Sequence, residues 1–110
     1  MAFIEVDEMD FNTVLKEEFN KGQVVILKFG SEYCDACMAL DFELEEVDDK
    51  HENITVLEID CGESEELAQK YGVTQVPTMV IYENENSTLW HKEGVMLAVD
   101  IENIIGLHDE

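Results

Sequence analysis

The chain has no arginine, one proline (Pro77), one tryptophan (Trp90), and only six lysines against 27 aspartates and glutamates, so 110 residues carry a formal charge of −21. Phosphate binding needs clustered bases, so nucleic acid is not an expected partner. The same repulsion disfavours an anionic membrane surface. No run approaches the roughly 18 consecutive apolar residues of a membrane span. The opening Met1-Ala2-Phe3-Ile4-Glu5-Val6-Asp7-Glu8 carries acids where a secretory leader carries bases. Repeats, low-complexity tracts and Gly/Ser/Pro-rich linkers are missing, and one domain over residues 1–110 is expected. Three cysteines, two of them close together, are poor material for a stapled secreted scaffold. The expectation is a cytoplasmic monomer, kept soluble by its acids, whose partners are neutral or basic around the contact.

What is present alternates between two periodicities. Phe3 to Val6 is strand-like, and Asp10 is placed to cap a helix with Phe11, Val14, Leu15 and Phe19 on one face, ended by Gly22. Val24-Val25-Ile26-Leu27-Lys28-Phe29 suits a strand buried on both faces, apart from its lysine. After Gly30 a second helix is expected, with Cys37, Leu40, Leu44 and Val47 at helical spacing. Ile54 to Ile59 alternates as a strand does, and Ser64 with Glu65 and Glu66 opens a short helix closed by Gly72. Thr78 to Tyr82 and Thr88 to Lys92 read as a hairpin around Glu83–Ser87, and Leu97, Ile101, Ile104 and Ile105 as a last amphipathic helix. The order βαβαβαββα implies an α/β fold, a mixed five-stranded sheet flanked by four helices.

Cys34-Asp35-Ala36-Cys37 falls just after the buried strand, at the start of a helix. Unpaired N–H groups and the helix dipole favour a thiolate there, the form that attacks disulfides. A second thiol three residues on can reach the first sulfur within one turn. Cys34, at the entry to the helix, is the expected nucleophile, and Cys37, on the apolar stripe, the resolving thiol. Two cysteines so spaced are also half of a zinc site, which would need two more ligands; Cys61, His51, His91 and His108 are scattered singly, so no metal is expected.

Several landmarks in one order carry a wider resemblance: Lys28-Phe29-Gly30, then Ser31-Glu32-Tyr33-Cys34-Asp35-Ala36-Cys37, Leu57-Glu58-Ile59-Asp60, Tyr71-Gly72-Val73-Thr74-Gln75-Val76-Pro77-Thr78, and Gly94 before the last helix. The sequence resembles thioredoxin over nearly its whole length. The resemblance implies the thioredoxin fold, a protein-disulfide reductase without a cofactor, disulfide-containing proteins as substrates and a separate electron-donating reductase. It also implies a cis Pro77 facing the cysteines and a substrate-binding surface of Tyr33, Val76, Pro77 and Gly94. Pro77 stands out independently, as the only proline, at the start of what should be a central strand; an ordinary trans turn is the alternative. A non-catalytic thioredoxin-like binding module is the competing function.

Two departures from the family bear on mechanism. Typical thioredoxin has Trp-Cys-Gly-Pro-Cys; here Tyr33 keeps an aromatic wall, but Asp35 puts a carboxylate beside the nucleophile, which opposes the thiolate. The family's buried aspartate six residues before the nucleophile, and its lysine partner, are replaced by Lys28 and Val56. Lys28 either manages the proton of Cys37 from a buried position or snorkels to the surface. Cys61 reads as a small apolar filler, Trp90 as core or edge packing, and the histidines as surface residues.

Overall fold

Residues 24–30, apolar apart from Lys28 and β-branched over the first three, form the centre of the sheet, and all seven are buried. A computed structural model describes residues 3–106. In chain order the elements are β1 (Phe3–Glu5), α1 (Phe11–Asn20), β2 (Val24–Gly30), α2 (Asp35–Lys50), β3 (Ile54–Asp60), α3 (Glu65–Lys70), β4 (Thr78–Asn84), β5 (Ser87–Glu93) and α4 (Ala98–Ile105). The strands lie in the order β1-β3-β2-β4-β5. β1 and β2 run parallel to β3, while β4 is antiparallel to both β2 and β5. This is the βαβαβαββα sheet that the alternating periodicities predict.

Successive side chains of a strand point to opposite faces, which splits β2 between two cores. Val24 and Ile26 pack with Leu40, Leu44 and Val47 of α2 and Ile101 of α4. Val25, Leu27 and Phe29 pack on the other face with Phe11 of α1 and Leu67 of α3. Each such fully buried side chain contributes about 1.5–3 kcal/mol. The same parity sends Lys28 to the α2 side, where it meets Asp41 of that helix.

Several local expectations differ from the structure. Asp10 precedes α1 without capping it; its carboxylate accepts the Asp7 N–H at 2.8 Å, tightening the turn before the helix. Ser64 stands at the N-cap of α3 and opens it as expected, with its hydroxyl buried and without a hydrogen-bond partner. Leu97 belongs to no buried face: it precedes α4 and is 57% exposed, and the core takes Ala98 and Ile101 instead. The hairpin strands run further than their apolar stretches, since cross-strand pairing continues to Asn84↔Ser87 among polar residues. His51 is not a surface residue: its ring meets the Glu102 carboxylate at 2.6 Å, with both side chains mostly buried. His108 lies outside the described residues.

Candidate functional site

Between β2 and α2 the chain must turn within four residues, and Tyr33 makes the turn with a φ of 57°. Bulky side chains rarely occupy this left-handed region, which costs roughly 1–2 kcal/mol. The turn leaves the ring 99% exposed, next in sequence to Cys34. Cys34 is the N-cap of α2, and its sulfur accepts the Cys37 N–H at 3.1 Å. Asp35 adds a carboxylate to the same first turn. The two sulfurs are joined in a disulfide, with Cα atoms 5.2 Å apart. Cys37 is 3% exposed, on the stripe with Leu40 and Leu44, while Cys34 is half-buried.

Sheet register brings a second segment to this end of β2. Phe29 pairs with Thr78, so Pro77 arrives beside Gly30, from which the cysteine turn departs. The Val76–Pro77 peptide bond is cis. Pro77 is buried and Val76 half-buried, and Thr78 Oγ1 donates to the Gln75 carbonyl at 2.6 Å. Gly94, at φ 107°, where side chains are strained, donates its N–H to the Pro77 carbonyl at 2.8 Å. Tyr33, Cys34, Cys37, Val76, Pro77 and Gly94 thus gather at one end of the sheet.

Behind the cysteines, Lys28 is buried rather than snorkelling, with its side chain 7% exposed. Its Nζ lies 3.1 Å from Asp41 Oδ1 and 3.2 Å from Glu58 Oε2. The Asp41 contact is an ion contact rather than a hydrogen bond, because the oxygen lacks a well-directed donor. Gly30 makes the approach to sulfur possible: a Cβ there would sit 3.1 Å from Lys28 Nζ and 3.4 Å from Cys37 Sγ. Ammonium and sulfur are therefore at most the sum of those two lengths apart.

The register explains where the counter-charge sits. Val56 lies opposite Ile26 and is buried with the apolar core, whereas Glu58 lies directly opposite Lys28. Burial, reinforced by the neighbouring Asp41 carboxyl, pushes Glu58 up to about 7 despite the pull of Lys28. An open cleft of about 630 Å³, lined by Glu32, Asp60 and these three charged side chains among others, joins the cluster to solvent.

Asp41 and Glu58 were not singled out by sequence reasoning. Glu58 left a signal, as an acid inside the apolar run Leu57-Glu58-Ile59, and Asp41 left a weaker one, one turn beyond Cys37 on α2. Cys61 is free and half-buried, its thiol pushed up by burial and by the Asp60 charge. Trp90 packs against the α2-side core with Lys92 Nζ 5.1 Å from its ring centre. His91 bonds the Tyr71 carbonyl at 3.0 Å. Among the described residues no three His, Cys, Asp or Glu side chains gather as a metal site requires.

The sequence profile of the family described as Thioredoxin matches residues 2–106. The chain belongs to the thioredoxin family. It is 30% identical to the thioredoxin of Bacillus subtilis over 82 residues, covering 74% of each chain. Over 83 residues it is 28% identical to putative thioredoxin-4 of Dictyostelium discoideum, covering 76% of this chain and 79% of that one. A rat thioredoxin domain-containing protein 2 is 32% identical over 79 residues, 72% of this chain but only 14% of that longer protein. Among solved structures, chloroplastic thioredoxin z superposes with a TM-score of 0.82 at 22% identity, covering 96% of this chain and 93% of the other. Thioredoxin F from spinach chloroplast gives 0.80 at 25% identity over 96% and 93%. The fold is the thioredoxin fold, and membership in the family together with the Cys34–Cys37 disulfide supports thiol–disulfide oxidoreductase chemistry in general terms.

Proposed function

We propose that the chain reduces disulfide bonds in other proteins through a Cys34/Cys37 cycle. The observation that carries this reading is a half-exposed sulfur at a helix N-terminus bonded to a buried sulfur one turn on. In the reduced protein, the Cys37 N–H that now reaches the Cys34 sulfur, with the helix dipole behind it, favours a thiolate at Cys34. That thiolate attacks one sulfur of the target disulfide; a mixed disulfide forms and the other target sulfur leaves, taking up a proton. Cys37 then gives up its proton and attacks Cys34, closing the internal disulfide and releasing the second target thiol. Two electrons pass to the target, and a separate reductase supplies two more to restore the dithiol. Tyr33, Val76, Pro77 and Gly94 form the surface on which the target segment lies.

Lys28 and its acids manage the proton in this reading. The Lys28 ammonium beside Cys37 stabilises the thiolate that the second step needs. Glu58, poised at about 7, is the member of the cluster that can take up or release a proton near neutral pH, and the cleft connects it to water. The protein works as a monomer in the reducing cytoplasm, where the glutathione poise favours reduction of targets.

The test is turnover of insulin disulfides by the protein with dithiothreitol as electron donor, comparing wild type with Cys34→Ser and Cys37→Ser. Catalysis absent from both variants, with a mixed disulfide trapped by Cys37→Ser, is expected. Wild-type rates no faster than dithiothreitol alone would overturn the reading.

A further inference from the structure

The helix that presents the cysteines is acidic and core-packed, yet its outer face carries an apolar ridge that the proposed redox cycle does not use. Met38 and Phe42 are 59% and 67% exposed, with exposed Ala39 between them. Cys34, Met38 and Phe42 are spaced by four residues, so they lie on one side of the helix, and the Met38 N–H bonds the Cys34 carbonyl at 3.2 Å. At 1.5 Å rise per residue, the two side chains stand about 6 and 12 Å along the axis from the reactive cysteine. Glu43 accepts the Ala98 N–H at 2.9 Å, which ties the start of α4 to α2, and the flanking Leu97 and Val99 are 57% and 56% exposed. The other exposed side chains of the α2 face include Asp35, Glu46 and Asp49, which ring the ridge with negative charge.

We infer that the Met38–Phe42 ridge of α2, extended by Leu97 and Val99, is a docking surface for disulfide-bearing proteins that present an apolar anchor set among lysines or arginines beside the reacting disulfide. This rests on the oxidoreductase reading, because what commits the surface to such an occupant is its continuity with Cys34. A partner whose sulfur is bonded to Cys34 is held about 6 and 12 Å along the helix from Met38 and Phe42. Charge decides the rest. A second copy of this chain, also carrying −21, would bring like charges together around the ridge, whereas a basic rim on the partner complements it.

The experiment follows the reduced 110-residue chain reacting with three disulfides, by alkylation and mass spectrometry. The probes are 2-hydroxyethyl disulfide and two synthetic peptide disulfides with the same leucine and phenylalanine beside the cysteine, one flanked by lysines and one by glutamates. Wild type is expected to react about tenfold or more faster with the lysine peptide than with the glutamate peptide at low salt, and the gap should narrow as salt is added. The double variant Met38→Gln with Phe42→Gln should slow the lysine peptide about tenfold while keeping its rate with 2-hydroxyethyl disulfide within about twofold, since the small probe cannot span the ridge. Wild-type rates for the lysine peptide in the double variant, or equal slowing with all three probes, would overturn the docking surface and leave the redox chemistry standing. A wild-type protein inert towards 2-hydroxyethyl disulfide would remove the oxidoreductase reading, and this inference with it.

Discussion

The protein buries charge at both ends of its central strand pair, and the two ends treat it oppositely. Near the start of β2 and β3, Glu18 of α1 is 6% exposed, accepts the Thr55 hydroxyl at 2.7 Å and meets Lys21 Nζ at 2.8 Å. Burial pushes its carboxyl up, but the Lys21 and Thr55 hydrogen bonds outweigh this and hold it below the ordinary range. Thr55 is itself fixed by the Gln23 amide at 3.1 Å, so one carboxylate has one cation and a network in register. At the far end, beside the cysteines, two carboxylates share the single Lys28 ammonium, and Glu58 rises to about 7. Burial alone therefore does not set the direction of a shift. At Glu18 two donors outweigh it, whereas at Glu58 burial is the largest cause and the Asp41 carboxyl adds to it, so that end keeps a proton in play at the pH where thiols must exchange theirs.

The contrast has opposite consequences for stability. Glu18 is more acidic in the folded chain than in the unfolded one, so its stabilisation is complete above the unfolded value and is lost as pH falls through the folded one. Glu58 binds its proton more tightly when folded, so the stability it confers in acid is lost as pH rises from its ordinary 4.5 to about 7.

The sharpest way to break the comparison is Lys28→Met, which leaves Asp41 and Glu58 facing each other. A loss on the order of 2–4 kcal/mol is expected by urea unfolding at pH 8, and less at pH 6, where a protonated Glu58 no longer repels its neighbour. The alkylation profile of the reduced protein should place the Cys37 thiol at higher pKa. Equal losses at both pH values with unmoved thiols would show that the cluster is inert. At the balanced end, Glu18→Gln should cost roughly 1–2 kcal/mol through weakened bonds to Thr55 and Lys21. Because Glu18 is fully ionised in that range, the loss should be the same at pH 6 and pH 8; a slope there would erase the distinction between the two ends. The smallest effect is expected for Glu58→Gln. Stability between pH 5 and 7 should become flatter, with a gain of about 1 kcal/mol at pH 8 after allowance for solvent screening. A variant that keeps the wild-type slope would assign it to another group.

Much of the fold is legible in the sequence because its strongest periodicities are real faces. Cys37, Leu40, Leu44 and Val47 are all buried where helical spacing puts them, and Val24 to Phe29 is a strand covered on both sides. Local chemistry misleads where tertiary contacts compete: the Asp10 carboxylate is drawn to its own turn, and Leu97 is left outside by a core already filled by Ala98 and Ile101. The charge cluster shows both limits at once. Lys28 is conspicuous in an apolar strand, but its partners come from another strand and from α2, and one of them sits two residues from the position where the family resemblance directs attention.

By itself the sequence determined the order of elements, the cysteine pair at the head of a helix and the excess of acid, because these depend on local spacing and composition. Only the tertiary structure decided that Lys28 is buried, that Glu58 and not position 56 lies across from it, and that both the Lys28 ammonium and the Cys37 sulfur crowd the space beside Gly30. Register and close approach are agreements between distant segments, and these are settled when the strands pair and the helix packs against them.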